Sequence, residues 1–371
     1  MILILLFLSA CFLAYSNGAN DNFKGVATLF GSGTTNFKKA IGWATATTFS
    51  GSVAAIFLAN ELVKNFSGKG LVPDDLITVP IFAISIALGA AITVFIATKI
   101  GMPISTTHSL VGALFGAGVM AVGMQFNFDK LIDKFLFPLI ISPLMAAVVS
   151  LLVYIIFRFF RKRLGVTKTT NLNIHKKQTP SIPSMNMDNT INLKTSKSIE
   201  ATLEQTIETY EGQILGLSSQ KVLDSLHYLS AGIVSFARGL NDTPKIIGLL
   251  VIINAIDIKW SMIIIAIIMA LGGLINAKKV GVTMSKKITP MNSGQGFTAN
   301  LVTGLLVTTA SFHGMPVSTT HVSVGSIFGI GTATKKANLK MVSKILLSWL
   351  LTLPMAAIVS GLLYKLLETL S

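Results

Sequence analysis

The chain has 371 residues, of which 51% are hydrophobic and only 12% charged, with a mean hydropathy of +0.70. A soluble domain carries roughly 25% charged residues, so this composition excludes one and points to a chain dissolved in lipid. The net charge of +15 does not indicate nucleic acid, because Lys and Arg sit in short clusters between long apolar runs, and the single cysteine, Cys11, excludes an internal disulfide, a cysteine-rich zinc site and an iron–sulfur cluster.

The first predicted element covers residues 1–16. Leu8-Ser9-Ala10-Cys11 resembles a lipoprotein processing site, but Met1 to Tyr15 lacks the positively charged start that a signal peptide needs. The segment therefore reads as a first transmembrane helix with a buried thiol. Apolar runs follow near 41–60, 76–98, 103–122 and 135–157, and a second set lies near 222–237, 242–256, 260–277, 296–312, 314–332 and 343–367. Several approach the ~20 residues that cross a bilayer as a helix, which predicts an all-α integral membrane protein of about ten to twelve transmembrane helices. Between the sets, residues 161–221 form a polar linker. Its first part is basic (Arg161, Lys162, Arg163, Lys168, Lys176, Lys177), contains Pro180 and Pro183 further on, and reads as disordered. From Ser198 to Lys221 the spacing of Leu203, Ile207 and Leu217, with Glu200, Glu204, Glu208 and Glu211, predicts a surface helix. The domains are then a first transmembrane repeat (1–160), the linker (161–221) and a second repeat (222–371).

That the two sets are copies is visible directly. Gly101-Met-Pro-Ile-Ser-Thr-Thr-His108 returns as Gly314-Met-Pro-Val-Ser-Thr-Thr-His321. Asn17-Gly-Ala-Asn-Asp21 returns as Arg238-Gly-Leu-Asn-Asp242, and Met145–Tyr154 returns as Met355–Tyr364. These three matches keep their order, at offsets of 213, 221 and 210. Equivalent loops carry opposite bias. Glu61, Lys64, Lys69, Asp74 and Asp75 sum to −1, where the second half has Lys278, Lys279, Lys286 and Lys287. Asp129, Lys130, Asp133 and Lys134 cancel, where the second half has Lys335, Lys336, Lys340 and Lys344. This predicts inverted-topology repeats with five crossings each, both termini outside and the basic linker in the cytoplasm.

Two duplicated motifs carry chemistry. An ionised carboxylate in hydrocarbon must be paired, hydrated or bound to a cation, and Asp21 and Asp242 lie in apolar surroundings, each with an Asn before it and a nearby glycine (Gly18, Gly239) that permits unwinding. A broken or re-entrant helix there would aim carbonyl oxygens and the side chains of Asn20, Asp21, Asn241 and Asp242 at one point. Such hard oxygen ligands suit sodium, or the carboxylate carries a proton itself. In the second motif, Pro103 and Pro316 mark helix starts with free backbone N–H groups. The hydroxyls of Ser105, Thr106, Thr107, Ser318, Thr319 and Thr320 follow, and together these donors suit an oxyanion.

Other residues stay open. His108 and His321 are substrate ligands, proton relays or packing residues. Lys24 and Lys245 each fall three residues after their Asp, where they draw in the anion, pair with the Asp or snorkel to the interface. Arg238 aligns with Asn17 and is the weaker candidate. Trp43 and Trp260 read as interfacial anchors, and Gly112/Gly116 and Gly325/Gly329 as helix-packing positions. No nucleophile elbow or zinc-ligand pattern argues for an enzyme.

The paired Gly-x-Asn-Asp segments, each followed by Gly-x-Pro-x-Ser-Thr-Thr-His, resemble the inorganic phosphate transporter family. The resemblance implies a secondary transporter in the cell membrane that imports phosphate with sodium, or with protons, by alternating access, commonly as a homodimer. It implies that Asn20, Asp21, Asn241 and Asp242 shape the cation site and that Asn20, Asn241 and the six hydroxyl residues contact phosphate. Sulfate transport and a passive anion channel are the alternatives. Many members read Asp-Val-Ala-Asn where this chain has Asp21-Asn-Phe-Lys24, which puts a cation in place of an amide.

Overall fold

The computed structural model describes residues 1–178, 199–214, 216–251 and 257–370. Among them are ten helices of 16 residues or more, five in each half: α1 (Ile2–Asp21), α2 (Phe37–Leu58), α3 (Pro80–Ile100), α4 (Thr106–Val122) and α5 (Phe137–Arg163), then α6 (Ser219–Ile247), α7 (Ile258–Asn276), α8 (Ser293–Phe312), α9 (Thr319–Thr334) and α10 (Leu339–Leu370). Seven helical stretches among the described residues are long and apolar enough to cross a membrane. They include α1 to α5, α7 and α10.

The halves do not sit side by side. α1 packs on α7 of the second half, and its counterpart α6 packs on α2 of the first. α4 packs on α10, and α9 packs on α5. Glycines allow these approaches. A Cβ on Gly18 would come within 1.9 Å of the Met269 carbonyl oxygen, and one on Gly239 within 2.1 Å of that of Thr48. Gly112 and Gly116 meet Leu353 and Ala357 in the same way, and Gly325 and Gly329 meet Pro143 and Ala147. The predicted packing role of the second pair of motifs is what the backbone shows. Gly18 and Gly239, expected to allow unwinding, instead lie within helices and let a neighbouring helix in.

The outer faces of α5 and α10 carry Ile140, Leu144, Val148, Leu152 and Ile155, and Leu347, Leu351, Met355, Ile358 and Leu362, all exposed at helical spacing. Asn17, Asn20, Asp21, Lys24, Arg238, Asn241, Asp242 and Lys245 are all buried inside. Apolar outside and polar within is the arrangement of a protein whose solvent is hydrocarbon.

The linker departs from expectation. Arg161–Arg163 end α5, and two strands follow, β1 (Thr167–Gln178) and β2 (Ile199–Glu211), paired antiparallel from Thr167–Glu211 to Gln178–Ile199. The predicted helix over 198–221 is thus replaced by a strand and, from Ser219, by the start of α6. Thr202, Thr206, Ile207 and Thr209 favour extended backbone and outweigh the apolar spacing once an antiparallel partner is present. Pro180, Pro183 and Ser198 lie outside the described residues. Glu208 pairs with Lys168 within the hairpin and ties it to the second half through Lys336 (2.6 Å) and the Asn292 amide (2.7 Å). Partial burial pushes the Glu208 carboxyl up, but those hydrogen bonds outweigh it and hold its pKa down to about 2. Cys11 in α1 is half-buried rather than buried.

Candidate functional site

Four short segments converge between the halves: the C-terminal ends of α1 and α6 and the turns that open α4 and α9. Gly101 and Gly314 end α3 and α8 with φ of +75° and +67°, a left-handed conformation that any side chain would strain. The chain then reverses through the Pro-containing turn. Ser105 caps α4 by accepting from the His108 N–H at 3.0 Å, and Ser318 caps α9 by accepting from His321 N–H at 3.2 Å.

At the end of α1, Asp21 is 2% exposed and Lys24, in the following turn, likewise 2%. The Lys24 ammonium donates to Asp21 Oδ1 (2.5 Å), the Ile104 carbonyl (2.6 Å) and Thr320 Oγ1 (2.6 Å). Thr106 donates to the other Asp21 oxygen at 3.1 Å. The second half reproduces the pattern. Lys245 donates to the Val317 carbonyl (2.7 Å) and to Thr107 Oγ1 (2.8 Å), with Asp242 Oδ1 at 3.6 Å. Ile104 and Val317 hold the same place in the duplicated motif, and each lysine reaches a threonine of the opposite half. The cluster therefore stitches the halves together.

Asn20 braces the turn before α4. Its amide donates to Thr98 Oγ1 (2.9 Å) and the Met102 carbonyl (3.1 Å), and its oxygen accepts from Ile104 N–H (3.3 Å). Asn241 donates to the Val317 carbonyl (3.2 Å) and Asp242 Oδ1 (3.1 Å) and accepts from Ser311 at 3.2 Å.

At the centre, symmetry fails. Arg238 is completely buried, and its guanidinium donates to Asn17 Oδ1 (2.5 Å) and Asn22 Oδ1 (3.1 Å) with Nε 3.5 Å from Asp242. Asn17 in turn donates to Asp242 (3.1 Å) and, at 3.4 Å, to Asp21. The two residues that align across the repeat thus meet and link both carboxylates.

The arrangement is a buried, charged cluster shared by the two halves, with threonine hydroxyls around it. Comparison with known proteins supplies the family. The phosphate transporter family matches residues 17–360. The chain belongs to that family. A protein assigned as a phosphate permease in Pyrococcus furiosus is 28% identical, over 98% of this chain and 96% of its own length. An assigned low-affinity inorganic phosphate transporter of Rhizobium meliloti is 26% identical over 96% of this chain and 93% of its own. Among solved structures, one described as the sodium-dependent phosphate transporter shares the fold, with a TM-score of 0.78 and 23% identity over the full length of both chains. The family is one of transporters, not enzymes.

Within this phosphate transporter fold the sequence candidates fare unequally. Asn20, Asp21, Asn241, Asp242, Lys24, Lys245, Thr106, Thr107 and Thr320 are gathered. Ser105 and Ser318 cap their own helices, and Thr319 is buried at the first position of α9. His108 and His321 meet each other, rings 4.4 Å apart and edge to face. His321 also stacks on Trp349 at 3.8 Å and bonds the Leu139 carbonyl at 3.1 Å, which is a packing arrangement. The helix break predicted at Asn241–Asp242 comes later. α6 runs through to Ile247 despite Pro244, whereas α1 does end at Asp21. Arg238, the weaker candidate because it lacks a counterpart, lies at the centre of the site. A lone arginine in an apolar run was itself the signal, since such a charge needs partners.

Proposed function

We propose that this chain imports inorganic phosphate across the cell membrane by alternating access, driven by a cation gradient. The observation that carries the reading is the buried cluster of duplicated Asp–Lys pairs, Arg238 and threonine hydroxyls at the contact between the halves. Phosphate enters between the openings of α4 and α9, where Thr106, Thr107, Thr319 and Thr320 and the adjoining N–H groups supply donors. Motion of the halves about this contact exposes it to one side and then the other. Inverted repeats are part of the proposal. They are supported by the opposite loop charges and by the reciprocal packing of α1 on α7 and α6 on α2.

A cytoplasmic linker and external termini are supported by charge. Glu208 holds the hairpin against Lys336, so the linker hairpin shares a side with the basic segment around the start of α10. Assembly as a homodimer belongs to the same reading. For the driving ion, an oxygen-rich donor set of this kind would suit sodium if its oxygens were free, and the solved structure named above is described as sodium-dependent. A proton-coupled reading is favoured by the ammonium groups already seated on those oxygens.

The test is uptake of labelled phosphate into proteoliposomes. An imposed sodium gradient is compared with a proton gradient at equal sodium. Accumulation is expected with one of them and not without a gradient, and excess unlabelled sulfate should not compete. Equilibration without accumulation would mean a passive channel, and competition by sulfate a different substrate.

A further inference from the structure

The two lysines raise a question that the phosphate reading does not answer. The ammonium of Lys24 has three donors and three acceptors at 2.5–2.6 Å, one carboxylate, one carbonyl and one hydroxyl oxygen. A carboxylate, a carbonyl and a hydroxyl are also the ligands a protein offers a small hard cation. Lys245 stands in the equivalent cage of Val317 carbonyl, Thr107 hydroxyl and Asp242 carboxylate. Both side chains are 2% exposed or less, and each is anchored three residues from its carboxylate. A metal ion on these oxygens would lie about one hydrogen-bond length from a full positive charge, in a setting of low dielectric where that repulsion is strong.

Charge leads the same way. Lys24, Lys245 and Arg238 against Asp21 and Asp242 leave the buried cluster one positive charge in excess. A monovalent anion balances that excess with no added ion. Dihydrogen phosphate has that charge, and sulfate does not.

We propose that Lys24 and Lys245 are resident cations which occupy the two oxygen cages permanently, so that the site binds monobasic phosphate without sodium. This rests on the phosphate reading above and specifies its cation requirement. Lys24, with every donor engaged, supplies charge. Lys245, with two close bonds and a looser third contact, keeps a donor that can turn to the phosphate. Positive charge that carriers usually borrow from solution is here part of the chain.

The experiment is phosphate binding to the purified full-length protein by titration calorimetry, in sodium chloride and in choline chloride at equal ionic strength. The dissociation constants are expected to agree within about twofold. Binding at least tenfold weaker in choline would overturn the proposal. No binding in either medium would overturn the phosphate reading and the proposal with it. As a second arm, Lys24→Ala and Lys245→Ala empty one cage each. Each folded variant is expected to bind at least tenfold more weakly in choline and to recover part of that loss in sodium. Variants that bind as the wild type does in choline would also overturn the assignment. The wild-type comparison stands alone if neither variant folds.

Discussion

The carboxylates of the two halves come from one duplicated motif yet are held differently. Asp21 has a cation of its own, Lys24 at 2.5 Å, and a hydroxyl from Thr106. Asp242 lies between two cations, Arg238 at 3.5 Å and Lys245 at 3.6 Å, and close to neither. The central contrast lies at one aligned position, where the first half has Asn17 and the second Arg238. Duplication supplies the frame and one departure from it polarises the site. The first half is a closed ion pair, and the second holds spare positive charge.

The strongest way to break the comparison is to remove the carboxylates in turn. Breaking a buried ion pair from one side costs about 3–5 kcal/mol, so Asp21→Asn and Asp242→Asn should each lower phosphate uptake on the order of 100-fold or more. Asp242→Asn removes the carboxylate that lies within 4 Å of both Arg238 and Lys245. It should therefore lower the melting temperature further than Asp21→Asn, as a thermal-shift assay reads. Near-normal uptake by both variants would remove the cluster from the mechanism.

Arg238→Asn sharpens the contrast by giving the second half the residue of the first. It removes the excess charge and the bonds to Asn17 and Asn22. A charge-assisted hydrogen bond contributes about 1.5–3 kcal/mol, so phosphate should bind about tenfold or more weakly in calorimetry. An unchanged dissociation constant would mean that the asymmetry has no part in recognition.

The smallest effect lies outside the membrane. Glu208 has a folded pKa of about 2, below the ordinary carboxylate value. Its contribution to hairpin docking is full above that ordinary value and is lost as pH falls toward about 2. Limited proteolysis of the hairpin should therefore rise on acidification in the wild type. In Glu208→Gln the susceptibility should be higher at neutral pH and flat with acidification, with uptake unchanged.

Much of this architecture is legible in the sequence. Ten of the eleven apolar runs correspond to the ten long helices, while the run near 242–256 begins inside α6, and Gly112/Gly116 and Gly325/Gly329 mark close packing that the backbone bears out. What escaped depends on tertiary partners. Gly18 and Gly239 read as points of unwinding because a local sequence does not reveal that Met269 and Thr48 will press against them. The 199–211 strand read as a helix because helical spacing is visible in one segment, whereas antiparallel pairing needs the second. Alignment of the repeats rewards likeness and so hides Arg238, yet the unlike pair, Arg238 and Asn17, makes the central contact.

The crossing of α4 onto α10 and α9 onto α5 also bears on how such a chain comes to exist. The glycine row of α4 packs on α10, so that contact has no partner until α10 has been made. Insertion and locking are thus separate events, divided by the synthesis of roughly half the chain. A gene encoding one half alone would have reached the same contacts only by pairing two copies of its product. In the present chain the tether between α5 and α6 replaces that encounter with a high effective concentration.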